Sequence, residues 1–175
     1  TSDKGGHAGS KANVGPYRGF KQDMYEGGLR VPACATWAAP GKIKPGSRSD
    51  LVAAVFDLYP TVCEIAGAKI EHDIDAVSIL PTLMGKEQTL KRDLFFCRRE
   101  GGGRYQGQDY YARRRGDWKL LHNDPFSPLE LYNLKDDPYE TTNLADKERK
   151  IFNEMSAALR VHIQRAGQVP WQKPE

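Results

Sequence analysis

The sequence predicts an α/β segment over residues 1–91, followed over 92–175 by a small α+β subdomain with a four-stranded antiparallel sheet and a C-terminal helix. Three observations point there. Val31, Ala33, Ala35 and Trp37 fall on alternate positions, as the buried face of a strand requires. After Arg92, four short segments rich in aromatic and branched residues are separated by turn-forming Gly, Asp, Asn and Pro. Ile151, Phe152, Met155, Leu159 and Ile163 then recur at three- and four-residue steps, the stripe of an amphipathic helix.

Composition narrows the classes. The chain has 175 residues, enough to bury a core, and 26 basic against 23 acidic residues leave a net charge of +3. That balance does not make nucleic acid a default partner. No run of apolar residues is long enough for a membrane span, and no basic-then-apolar leader is present. The three cysteines, Cys34, Cys63 and Cys97, form no Cys-x-x-Cys pair, which argues against zinc. Cys34 and Cys63 lie among apolar neighbours, where a thiol is expected to act as a small buried hydrophobe. Arg113-Arg114-Arg115 suits either an anion grip or the exposed edge of a strand, and its tyrosine neighbours favour the edge.

Taken in order, Thr1 to His7 reads Thr-Ser-Asp-Lys-Gly-Gly-His, and Ser10 to Val14 is a small, polar link. Gly15 to Pro32 follows, with Arg18, Lys21, Glu26 and Arg30 interleaved with four glycines. A plain polar loop explains the glycine, proline and charge. It does not explain the abrupt entry into apolar alternation at Leu29. Charges at the mouth of a buried strand are where an α/β sheet binds its ligand, and a lysine there offers a compact point charge to an oxyanion.

Ala39 to Gly46 is turn chemistry with two Pro-Gly pairs. Asp57 is placed to cap a short helix with Pro60 in its first turn and Gly67 past its end, a structural rather than a catalytic role. Lys86 to Lys91 breaks the apolar pattern and marks the boundary between the two parts. The expected strands are Leu94 to Cys97, Tyr110 to Arg114, Trp118 to His122 and Leu129 to Leu134. Short connections make them antiparallel. Asp146 is the expected cap of the last helix and Gly167 its end, and the tail from Gln168 carries only Trp171 as an anchor.

Pro16-Tyr17-Arg18-Gly19-Phe20-Lys21 and Tyr25-Glu26-Gly27-Gly28-Leu29-Arg30-Val31-Pro32 resemble the type I sulfatases of the alkaline phosphatase-like superfamily. Asp57-Leu58-Tyr59-Pro60-Thr61, the Asp75 to Gly85 run, Gly116-Asp117-Trp118-Lys119-Leu120 and Glu130-Leu131-Tyr132-Asn133-Leu134 extend the likeness, in order, over nearly the whole chain. It maps to the C-terminal portion of such enzymes.

The resemblance implies hydrolysis of a sulfate ester, on a small molecule or a glycan, by the intact protein. Lys21 would contact the sulfate as a catalytic and substrate-binding residue, with Arg18 and His7 toward the substrate and Glu26 and Arg30 as supports. Asp3 would hold a divalent metal, in this family calcium. Lys4 stands at the usual second-ligand position, and an ammonium has no lone pair to give. Either its charge replaces part of the metal's, or the side chain swings outward and leaves a weakened site.

A sulfatase makes its formylglycine nucleophile within Cys/Ser-x-Pro-x-Arg, and no cysteine or serine here begins that pattern. The chain is therefore expected to be a piece, inactive alone and completed by the missing N-terminal part or by another copy. An extracytoplasmic setting, whether periplasmic, secreted or lysosomal, is implied by the resemblance alone. Two other readings remain: a phosphatase or phosphonate hydrolase of the same superfamily, and a non-catalytic module that binds anions or sulfated glycans.

Overall fold

The structure, a computed structural model, describes residues 1–2, 4–10, 12–37, 42–99 and 106–167. Asp3, part of the turn expected at Ala39 to Gly46, and the tail from Gln168 lie outside the described residues. The chain gathers into two compact units, one holding Val31–Lys91 with Thr1–Asp3 and the other holding Lys4–Arg30 with Arg92–Glu175. Residues 4–30, grouped with 31–91 by the sequence division, thus pack with the sheet subdomain instead.

That second unit is organised by four strands, β1 (Asp93–Arg99), β2 (Asp109–Arg115), β3 (Trp118–Leu121) and β4 (Glu130–Asn133). They pair antiparallel in the order β1-β2-β3-β4. The register sets Ala112 opposite both Phe96 and Leu121, and Leu120 opposite both Arg113 and Leu131. Because side chains alternate, each register line belongs to one face.

On one face Leu120 and Leu131 pack with Met155 and Leu159, and Phe95, Tyr111, Phe152 and Ile163 pack around them. Phe152, Met155, Leu159 and Ile163 come from α4 (Arg149–Ala166), whose stripe is the one the sequence predicts. On the other face Ala112, Leu121, Tyr110 and Tyr132 pack with Met24 and Tyr25. The loop before residue 30 therefore covers the face that α4 leaves open. Burial on both sides explains the run Trp118-Lys119-Leu120-Leu121, which shows no polar alternation.

Three local expectations change. β2 is an inner strand, so Arg113 is no exposed edge: it is 2% exposed, pairs with Asp93 at 2.9 Å, and donates to the Met155 carbonyl of α4. α4 begins at Arg149 behind Glu148, with no side-chain cap bond, and Asp146 instead forms an exposed pair with Arg149. Cys34 and Cys97 are exposed and Cys63 half-buried, so the apolar neighbours of Cys34 form no core around it.

The first unit holds two helices, α2 (Leu58–Ala66) and α3 (Leu80–Leu83). Gly67 closes α2 in the left-handed conformation, φ 68°, as its position predicts. Asp57 is fully buried and acts by tethering: one carboxylate oxygen accepts from the Ala54 amide and the other from the Val77 amide. Thr61 extends the tie, donating to the Asp57 carbonyl and accepting from the Ile79 amide. The strand expected from Leu29 to Trp37 is not formed. Leu29 ends the short helix α1 (Glu26–Leu29), and 31–37 have no regular structure, with Ala33 and Ala35 exposed. Alternation alone makes no strand; a strand needs neighbours to take its backbone hydrogen bonds.

Candidate functional site

The loop that carries Lys21 is shaped by its own backbone. Gly19 has φ 80° and Gln22 φ 95°, and between them the chain reverses. The Lys21 amide donates to the Gly6 carbonyl at 2.8 Å, the Gly5 amide to Gly28 at 2.9 Å, and the Gly27 amide to Arg18 at 2.8 Å. Three segments, 4–6, 18–21 and 27–28, are thereby laced together. The contact leaves no room for side chains: a Cβ on Gly27 would lie 2.1 Å from the Gly19 carbonyl oxygen, and one on Gly5 1.9 Å from that of Gly27. The Tyr25-Glu26-Gly27-Gly28 run therefore needs both glycines for close backbone approach.

At its apex Lys21 is exposed and forms no ion pair among the described residues. Its main-chain amide is tied to Gly6, two residues after Lys4. An unpaired cation on a fixed backbone is chemically suited to meet an oxyanion. His7 is exposed, and its Nδ1 accepts from the Gly9 amide at 3.1 Å. Lys4 is exposed too. Asp3 lies outside the described residues, and among the described residues no group of three or more His, Cys, Asp or Glu could hold a metal. Those residues alone do not make a calcium cage.

The other charges of the loop make contacts within the protein. Arg18 lays its guanidinium 3.9 Å above the Tyr25 ring and donates from Nη1 to the Tyr132 hydroxyl and the Glu140 carbonyl, both at 3.0 Å. Tyr25 and Tyr132 both donate to Glu130, and burial followed by that carboxylate holds both phenols well above their ordinary pKa. Arg30 is exposed, its guanidinium 4.8 Å over the Tyr17 ring. Arg18 and Arg30 thus brace the loop against aromatic faces.

Glu26 goes deepest. Its Oε1 accepts from the Lys119 Nζ at 2.8 Å, and Lys119 stands 2.8 Å from a Glu140 carboxylate oxygen as well. The three side chains are at most 5% exposed, and Arg114 lies 3.5 Å from the other Glu26 oxygen. Burial raises the Glu140 pKa, and Lys119 pulls back against it.

Lys119, Glu140, Glu130 and Asn123 escaped the sequence reading. Asn123 accepts from the Met24 amide at 2.6 Å and donates to Asp23, pinning the loop from the end of β3. One signal was available for Lys119, a lone charge inside Trp118-Lys119-Leu120-Leu121. A charge in a strand buried on both faces demands a partner.

A four-stranded antiparallel sheet with one long helix on one face and a glycine-laced cationic loop on the other defines a sulfatase-type C-terminal region. The solved structure of Ps i-CgsB shares it with TM-score 0.78 and 26% identity, covering 91% of this chain and 34% of that one. Residues 15–167 match the family described as N-sulphoglucosamine sulphohydrolase, C-terminal, and the chain belongs to that family.

Among curated relatives, a sulfatase of Formosa agariphila is 37% identical over 157 residues, 82% of this chain and 27% of its own length. N-acetylgalactosamine-6-sulfatase of Mus musculus is 38% identical over 125 residues, 68% of this chain and 22% of its own. The chain spans about a third or less of the length of the curated relatives it matches. No helix of the described residues is long and apolar enough to cross a membrane.

Proposed function

We propose that this chain serves as the C-terminal part of a sulfuric ester hydrolase and that Lys21 is its contact to the sulfate group. The observation that carries the reading is the exposed Lys21, without an ion pair among the described residues, on a backbone laced to Gly6. The names of the relatives support sulfate over phosphate as the transferred group. An ammonium beside the sulfuryl oxygens stabilises the charge that builds as the ester oxygen leaves, and the tied main chain of Lys21 limits where that ammonium can reach. The substrate class is a sulfated glycan or a small sulfate ester.

Asp3 is proposed, from the family pattern, as one ligand of a divalent cation, calcium by resemblance. The nucleophile would come from a Cys/Ser-x-Pro-x-Arg run outside this sequence, and the setting would be extracytoplasmic. The test compares aryl sulfate with aryl phosphate turnover by the whole protein, with and without Lys21→Ala. Sulfate turnover that falls by about two orders of magnitude, the scale for losing one stabilising donor, supports the reading. Unchanged turnover, or faster cleavage of phosphate, overturns it. In the chain itself, sulfate but not chloride at equal ionic strength should slow acetylation of Lys21.

A further inference from the structure

The loop bearing Lys21 packs on the sheet face opposite α4, and a charged cluster lies between them. Lys119, on β3, reaches both Glu26 and Glu140 at 2.8 Å. Glu140 also reads the loop through its other carboxylate oxygen, which accepts from the Glu26 amide at 2.6 Å, and through its main-chain carbonyl, which accepts from Arg18. Its own backbone takes the left-handed region, φ 56°, unusual for a residue with a side chain. Four charged or polar contacts thus converge where apolar packing would have been less demanding.

The sum of charges is informative. Glu26 and Glu140 bring two negative charges, Lys119 one positive, and Arg114 a second at 3.5 Å. A buried pair of this kind adds little to stability compared with apolar residues of the same volume, while losing one partner is severe. Its value is directional. Leu or Met at 119 would pack against many loop positions, whereas an ammonium between two carboxylates accepts one.

We infer that Lys119 and Glu140, clamping Glu26, are positioning residues that fix the register of the Lys21 loop on the sheet. This rests on the reading of Lys21 as the sulfate contact. The clamp acts at a distance in sequence: Glu26 lies five residues after Lys21, and the Gly27 amide bond to Arg18 carries its placement back to the Arg18–Lys21 turn.

The experiment uses the full chain and two variants, Lys119→Met and Glu140→Gln, the second keeping volume should the first fail to fold. Amide hydrogen exchange is followed at Lys21, Gly27 and Gly5, whose bonds lace the loop, and at Ala112 and Leu121 within the sheet. Exchange in the loop is expected to quicken at least about tenfold more than at the sheet amides, which follow only the loss of global stability that the substitution brings, local opening being separable from global unfolding. Sulfate protection of Lys21 against acetylation should be lost in the same variants. Equal quickening in loop and sheet, unchanged exchange, or quickened exchange with sulfate protection intact would each overturn the inference. Failure of the Lys21 reading shows separately, as an absence of sulfate protection in the unsubstituted chain.

Discussion

The two units reach order by different means. In the sheet unit, Leu120, Leu121, Leu131 and Ala112 are wholly inaccessible, and both faces of the sheet are covered from within the unit. Among the described residues of the 31–91 unit Asp57 is fully buried and Thr61 nearly so, while Val55, Leu58, Tyr59, Val62 and Ile65 are 43–60% exposed. There Asp57, Thr61, Ser78 and Gln88 hold the chain through hydrogen bonds to backbone amides and carbonyls. Within this chain the sheet unit buries its apolar surface, and the 31–91 unit is held by local polar tethers. Substitutions should therefore weigh very differently in the two.

The largest effect is expected at the buried charges. Lys119→Met strands two carboxylates and should cost about 3–5 kcal/mol in denaturant unfolding, the range for breaking a buried pair. Next come the apolar centres: Leu120→Ala should cost about 2–5 kcal/mol, transfer and cavity terms together. A cost below 1 kcal/mol there would mean that the sheet unit is no better packed than its neighbour. Gly27→Ala forces a Cβ against two carbonyl oxygens and should cost about 1–3 kcal/mol, the range for overpacking. Retained sulfate protection of Lys21 in that variant would show that the close backbone approach is dispensable.

A smaller effect is set by pH. Burial lowers the His122 pKa, with Asp124 opposing, and the imidazole stacks on Tyr111 at 5.9 Å. Below about 6.5 the unfolded chain binds the proton more readily than the folded one, so stability is fully present above that value and declines as pH falls toward the folded pKa. His122→Phe should flatten that part of the pH profile, measured by unfolding between pH 7 and 5. The smallest effect is expected in the tethered unit, where Val62→Ser, at a site 60% exposed, should stay within about 0.5 kcal/mol.

Much of this architecture was legible. All four strands and the closing helix sit within a few residues of where aromatic clusters, turn residues and a three-four stripe place them, because those signals are local. Gly67 as a helix end and Asp57 as a structural residue were legible for the same reason. Lys21 was found through a motif, and the structure leaves it exposed on a laced turn. The strand at 29–37 misled because alternation reports what a segment could bury, whereas forming the strand requires another chain segment to pair with it.

What the sequence determined by itself is the set of elements, their turns and the residues that carry charge into the loop, since each follows from steric preference and polarity within a few residues. Tertiary structure alone decided which charges meet. Lys119 joins Glu26 across 93 positions of chain, and Arg113 is buried because α4 lies over its face of the sheet and takes its hydrogen bond. Electrostatic partnership falls off with distance in space and takes no account of distance along the chain, so no reading of local pattern contains it.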